Sequence, residues 1–452
     1  MLESTVDLGS PRGALRDVPF MGVIFVVAEA MKLGFRNGDP DWCNLGQGQP
    51  EVGEMAGAPP RISSVSIAPE DHAYGPLGGT TELREAVARH YNRLFRGAGS
   101  RNGKKRKPFR AENVAVAQGG RLALSRAIAA LGAVNVGYPL PDYTAYEDML
   151  ALHLGRVNPI PLRTREADGF RVTPQLFERT VDDHGIGAFL LSNPCNPTGQ
   201  VVSGGELAAL VKVARARRVT LLLDEFYSHF IYTPDGKPGR GPVSAAEFID
   251  DPERDPVVLV DGLTKSFRYP GWRVGWCVGP SAMVDTIARV ASALDGGPSR
   301  ITQRAALQAL EPARADQETT ALREVFVQKR NLMLRRLKQL GVVFANEPLG
   351  TFYCWGSLAK LKPPFDDAMT FFRRALERKV LTVPGEFFDV NPGKRRRAPS
   401  PYRQWMRFSF GPPMENVELG LDRLAQMLRA KPARRAIVDV HSVPSGNPRR
   451  RK

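Results

Sequence analysis

Between residues 74 and 310 the chain alternates short apolar runs with longer stretches whose apolar residues recur at helical spacing. The runs cover 114–117, 134–137, 188–192, 219–223, 257–260 and 274–278, and the helical patterns cover 81–95, 120–131, 206–216 and 281–294. A strand with one face in water alternates apolar and polar residues. These runs are apolar nearly throughout, so both faces of their sheet must be covered. Such strands, separated by helices, make a mostly parallel sheet between helical layers. In that architecture ligands bind beyond the carboxyl ends of the strands. The pattern therefore predicts an α/β fold with its functional residues just after the runs.

Beyond residue 310 the texture changes. A long helical pattern at about 317–340 leads to a strand-like GTFYCWG at 350–356. A helix near 366–379, a strand at 380–383, WMRFSF at 405–410 and a helix at 415–428 follow. This reads as a smaller α+β domain, completed by an N-terminal helix near 21–33. The expected division is an N-terminal segment (1–45) packed with the small domain, a large domain (46–312), the small domain (313–430) and a basic tail without fixed structure (431–452).

The 63 Lys and Arg against 47 Asp and Glu give a net charge of +16, which raises the question of nucleic acid. Most of that excess lies in KKRK at 104–107, KRRR at 394–397 and RRRK at 449–452, among Gly, Ser and Pro residues or at the end of the chain. These runs read as solvated loops and a frayed tail, so no specific nucleic-acid partner is expected. Cys43, Cys195, Cys277 and Cys354 show no CxxC or Cys/His spacing, which predicts neither a metal site nor a disulfide framework. Glu3 and Asp7 stand where a signal peptide carries cations, and the apolar run at 20–28 is too short to span a bilayer. A cytoplasmic protein without a membrane segment is expected.

Four motifs follow predicted strands. In VDGLTKSFRYPGWRVGW, at 260–276, Lys265 and Arg273 sit in apolar, turn-rich surroundings where an unpaired charge is costly. A snorkelling side chain and a structural ion pair would explain them, and so would a ligand. In LLLDEFYSHF, at 221–230, Asp224 ends an apolar run. It reads either as a helix N-cap or as a buried carboxylate facing a cationic ligand atom, with the Tyr227 hydroxyl aimed at the same ligand. LLSNPCNPTGQ, at 190–200, is turn-forming as any loop is, yet its paired Asn-Pro steps fix Asn196 as a hydrogen-bond donor would need. In AVAQGGRLAL the change from strand through Gly119 and Gly120 into a helix is either a tight turn or an anion site made of bare amides.

Together these supply an anion site, a carboxylate for a pyridinium, a hydroxyl and an amide for a phenolate, and a lysine. That set matches what pyridoxal 5′-phosphate requires. From about residue 44 to 428 the sequence closely resembles the fold-type I aminotransferases of class I/II. The resemblance implies that NPCNPTG carries Asn196 to the cofactor's phenolic oxygen. It makes Asp224 the ring-nitrogen partner, Tyr227 a second group on that oxygen, Lys265 the Schiff-base lysine and Arg273 a phosphate ligand. Gly119, Gly120 and Arg121 would cradle the phosphate, and Tyr143 would stack on the ring. Tyr74, in YGPLGGTTELR, would reach the phosphate of a neighbouring subunit's cofactor, which implies a homodimer. Gly48, in LGQGQP, and Arg407, in RFSFGPP, would meet the substrate carboxylate with Asn196 close by, a fork suited to guanidinium.

The implied activity is transamination between an L-α-amino acid and a 2-oxo acid. One departure stands out: the family's usual serine three residues before the lysine is Gly262, with Thr264 as the nearby hydroxyl. Glu386, in VPGEFF, reads as an exposed loop acid or a contact to a cationic side chain. A C–S lyase, decarboxylase or cyclising synthase of the same fold would share all the cofactor residues. A ligand-sensing regulator of this fold needs a DNA-binding domain, for which the roughly forty residues ahead of NLGQGQP are too few. Apolar residues at 21–25, with Phe352 and Phe388, suggest room for an apolar or extended substrate side chain.

Overall fold

The computed structural model describes residues 22–97 and 106–429. Its centre is a seven-stranded sheet: β1 (Val114–Ala117), β2 (Val134–Leu140), β3 (Val157–Arg163), β4 (Ile186–Ser192), β5 (Thr220–Asp224), β6 (Val257–Gly262) and β7 (Gly275–Val278). The strand order is β1-β7-β6-β5-β4-β2-β3. All neighbours run parallel except at β7, which is antiparallel to both β6 and β1.

Alternate residues feed two cores. Leu221 and Leu223 face one core, with α2 (Thr81–Phe95), α5 (Pro174–His184) and α6 (Gly204–Arg217). Leu222 faces the other, with α3 (Gly120–Ala129) and α4 (Ala145–Ala151). Both faces are thus dry, which is why the strands read as continuous apolar runs. Strand β3 escapes that reading because Pro159 and Pro161 interrupt it. It lies at the sheet's edge and pairs only with β2, where a missing N–H is tolerated.

Helices α7 (Ser281–Leu294) and α8 (Arg300–Ala309) lead to the 28-residue α9 (Pro312–Gln339), which packs against α8 and α11 (Met414–Arg429). A second, antiparallel sheet has β8 (Tyr353–Ser357), β9 (Val383–Pro384) and β10 (Trp405–Ser409) in the order β9-β10-β8, with α10 (Ala368–Leu376) beside it. The chain's first described helix, α1 (Gly22–Lys32), joins this region through Phe25, whose ring packs on Phe372 and Phe387. Cys43–Asn44 pairs with Val380–Leu381 in parallel.

The run at 394–397 is an exposed loop at Lys394, Arg395 and Arg397, as expected, but it is tied down at two points. Lys394 is paired with the buried Glu147, and Arg396 is bound to Asp389 at 2.6 Å and to the carbonyl of Val390. In the run at 104–107, Arg106 donates to the carbonyl of Phe95 and Lys107 pairs with Asp251 at 2.7 Å. The first two residues of that run and the whole of 449–452 lie outside the described residues. Among the described residues no helix is long and apolar enough to cross a membrane, and no cluster of His, Cys, Asp or Glu suits a metal ion.

Candidate active site

Six strands point the same way, so the turns after β1, β2, β4, β5 and β6 open onto one edge. These turns carry Gly119, Tyr143, Asn196 and Lys265, and Asp224 is the last residue of β5. The reversed β7 starts at that edge, and Arg273 immediately precedes it. Here the backbones approach closely. A Cβ on Gly119, which has φ +83°, would lie 2.3 Å from the Arg273 guanidinium, and one on Gly120 would lie 2.3 Å from the Phe226 ring. The positive φ at 119 favours glycine there, and a side chain at 120 would have to displace the Phe226 ring.

A cavity of about 430 Å³ lies over this edge. Of the residues assigned from sequence to the cofactor or the substrate carboxylate, all but Gly119 and Tyr74 line it, whereas Phe352 and Phe388, expected beside a substrate side chain, do not. Gly119 lies just behind, under Arg273. Tyr74 is 98% exposed, away from the cavity. Asp224 is followed by a turn rather than a helix, so the N-cap role is not realised. Its carboxylate accepts from the Tyr146 hydroxyl at 2.8 Å and from the Phe226 amide at 3.3 Å, and burial pushes its pKa up to about 6.

The Lys265 amine donates to the carbonyl of Gly48. Burial, then the positive charge of Arg407, pushes its pKa down to about 7. The Tyr227 and Tyr353 hydroxyls share a hydrogen bond of 2.9 Å. Arg407, on β10 and 1% exposed, donates to Asn196 Oδ1 at 2.9 Å and to the carbonyl of Gly46 at 3.0 Å, with its guanidinium 4.0 Å from the centre of the Tyr353 ring. The Arg407 contact occupies the acceptor of Asn196 and leaves its amide nitrogen to donate.

Three guanidinium groups line this cavity, and among the described residues none of Arg121, Arg273 and Arg407 has a carboxylate in ion-pair range. Arg121 instead donates to the Tyr143 hydroxyl at 3.3 Å. The buried Thr264 Oγ1 and Arg407 Nε likewise find no hydrogen-bond partner. Buried polar atoms seldom go unpaired, so both are free to meet a ligand, and the uncompensated positive charge suits an anionic one.

The family model for aminotransferase class I and II matches residues 40–424. The chain belongs to the class I/II aminotransferases. Among its curated relatives, the aspartate aminotransferase of Sulfurisphaera tokodaii is 27% identical over 395 residues, covering 85% of this chain and 89% of the relative. The aspartate/prephenate aminotransferase of Thermus thermophilus is 28% identical, covering 92% and 99%. The solved structure of a Thermus thermophilus aspartate aminotransferase with maleate superposes with a TM-score of 0.71 at 25% identity, covering 91% of this chain and all of that one.

In this aminotransferase the glycine at 262 has a local cause. It pairs with Gly275 across the β6–β7 ladder, and a Cβ there would lie 2.5 Å from the carbonyl of Val274. Glu386 is half-buried rather than exposed, on a short 3₁₀ turn, Gly385–Phe388, outside the cavity lining. Val23 and Ile24, from the apolar stretch at 21–25, line the cavity as expected, while Tyr353, Ser192, Thr144 and Asn44 line it without having been given a role from sequence. Tyr353 was legible only as part of a strand. Tyr146, three residues after Tyr143, gave no sign that its hydroxyl meets Asp224.

Proposed function

We propose that this aminotransferase uses pyridoxal 5′-phosphate to exchange the amino group between an L-α-amino acid and a 2-oxo acid in a ping-pong cycle. One observation carries the reading: a lysine that is half neutral near pH 7 shares a cavity with a buried carboxylate and three arginines lacking counter-ions. The residues fit the cofactor. The N-terminus of α3, Arg273 and the free Thr264 hydroxyl would hold its phosphate. Asp224 would meet the ring nitrogen, Asn196 and Tyr227 the phenolic oxygen, and Tyr143 the ring face. When bound, the cofactor supplies an aldehyde and an electron sink for the substrate's α-carbon.

Lys265 Nζ would anchor the cofactor, and its amine would carry the proton to and from the substrate's α-carbon, as general base and then acid. Asp224, held by the Tyr146 hydroxyl at 2.8 Å, would keep the ring nitrogen protonated. Arg407 and the Gly48 backbone orient the α-carboxylate. The same reading makes the working unit a cytoplasmic homodimer, with the exposed Tyr74 reaching the neighbouring subunit's site.

The test is a panel of amino donors, aspartate first among them in view of the relatives' names, assayed with 2-oxoglutarate and pyruvate while the cofactor's absorbance is followed. Stoichiometric conversion of one oxo acid into its amino acid supports the proposal. Release of ammonia, carbon dioxide or a thiol in place of amino transfer would instead favour a lyase or decarboxylase of the same fold.

A further inference from the structure

The turn that carries Lys265 closes three residues later, where the Arg268 amide donates to the Lys265 carbonyl at 3.2 Å. Arg268 has φ +58°, a conformation that side-chain-bearing residues seldom adopt, and its side chain is fully buried. It is not idle. Its guanidinium donates to Glu318 on α9 at 2.6 Å, to the carbonyl of Gly53 at 2.8 Å and to that of Glu51 at 3.3 Å. Glu51 is also held from the other side: its amide donates to the Gly411 carbonyl at 2.7 Å and its carboxylate pairs with the buried Lys329 at 2.7 Å.

The segment from 46 to 53 is thus gripped along its length. Arg407 holds the Gly46 carbonyl, Lys265 that of Gly48, and Arg268 those of Glu51 and Gly53. Two of these grips come from one turn. We propose that Arg268 is a positioning residue that ties the Lys265 turn to the 46–53 segment, so that the Gly48 backbone meets the substrate carboxylate in register with the Lys265 amine. Left-handed backbone held by buried contacts is a recurring feature of functional turns. A guanidinium suits this place because it can fork across two carbonyls and a carboxylate, which an ammonium cannot do in one geometry.

The inference rests on the carboxylate role proposed for Gly48 and Arg407. Its test uses the full chain, as wild type, Arg268→Gln and Arg268→Lys, with two readouts. Hydrogen exchange should speed up at residues 46–53 in both variants. Arg268→Lys, which keeps a charge beside Glu318, should hold its melting temperature nearer to wild type. Steady-state kinetics should show KM for an amino-acid donor raised about fivefold or more with kcat little changed, and less than about a twofold effect on the decarboxylated amine. If Arg268→Gln does not fold, Arg268→Lys decides. Unchanged exchange at 46–53 in a folded variant, or equal losses for acid and amine, would overturn the proposal. If the wild-type chain transfers no amino group, the fault lies with the proposed function, and exchange alone decides the tie.

Discussion

Lys265 is chemically useful because it is held away from water. A depressed pKa means that the amine is neutral above about pH 7 and protonated below it. Only the neutral amine adds to an aldehyde, so uptake of pyridoxal phosphate by cofactor-free protein should accelerate with rising pH and reach half its maximum near 7. Stopped-flow absorbance measures this, and a half-maximum near 10 would show that the lysine is not desolvated. Lys265→Ala should abolish the rise and lose turnover by orders of magnitude.

Arg407 makes the complementary case. With no acid in ion-pair range among the described residues its charge faces the cavity, so Arg407→Ala should cost about 2–4 kcal/mol in kcat/KM for amino-acid donors, with Arg407→Lys intermediate. The corresponding amines should be nearly unaffected, and equal losses for acid and amine would remove the carboxylate role.

At the level of elements, the antiparallel β6–β7 pair decides how much room there is for a side chain at position 262. Restoring the family's serine by Gly262→Ser drives a side chain toward the Val274 carbonyl. It should lower stability by about 1–3 kcal/mol and weaken cofactor retention, read by thermal melts with and without cofactor. A stabilised variant would mean that the ladder yields easily.

Helix α2 docks beside the lysine turn through His90, whose ring packs with His229 and Phe267. Burial pushes His90 down to about 4 and His229 well below its usual value, with Arg93 and Arg323 adding to the burial effect and Asp316 opposing it for His90. The unfolded chain then binds more protons, so stability is full above about 6.5 and is lost as pH falls toward 4. Urea midpoints at pH 7.5 and 4.5 should differ less in His90→Leu than in wild type.

The strands that carry the site were legible because each is buried on both faces, and Asp224, Asn196 and Lys265 follow such runs directly. Strand β3 was hidden by its prolines. Tyr353 and Tyr146 were hidden because a hydroxyl's partner depends on how distant elements pack, which periodicity does not encode.

For the whole molecule, an almost fully exposed Tyr74 fits a chain that works in pairs. Sedimentation across a dilution series should show a dimer, and Tyr74→Ala should release cofactor sooner without changing the dimer. A fully active monomer at every concentration would overturn the pairing. Most of the central sheet and its covering helices could be read from the order of apolar runs. The corner around Arg407 could be read only through the family resemblance and not from the pattern of apolar runs, since it joins Gly46 to a residue 361 positions later, and Leu45 to Ser409. That separation sets an order of events during synthesis. Domains emerging from the ribosome fold from the N-terminal side, so the corner built from 119 to 273 can form while later residues are still unmade. The corner that grips Gly46 must wait until residue 407 has left the exit tunnel. A nascent chain can therefore bring Gly119 and Lys265 together well before Arg407 reaches Gly46.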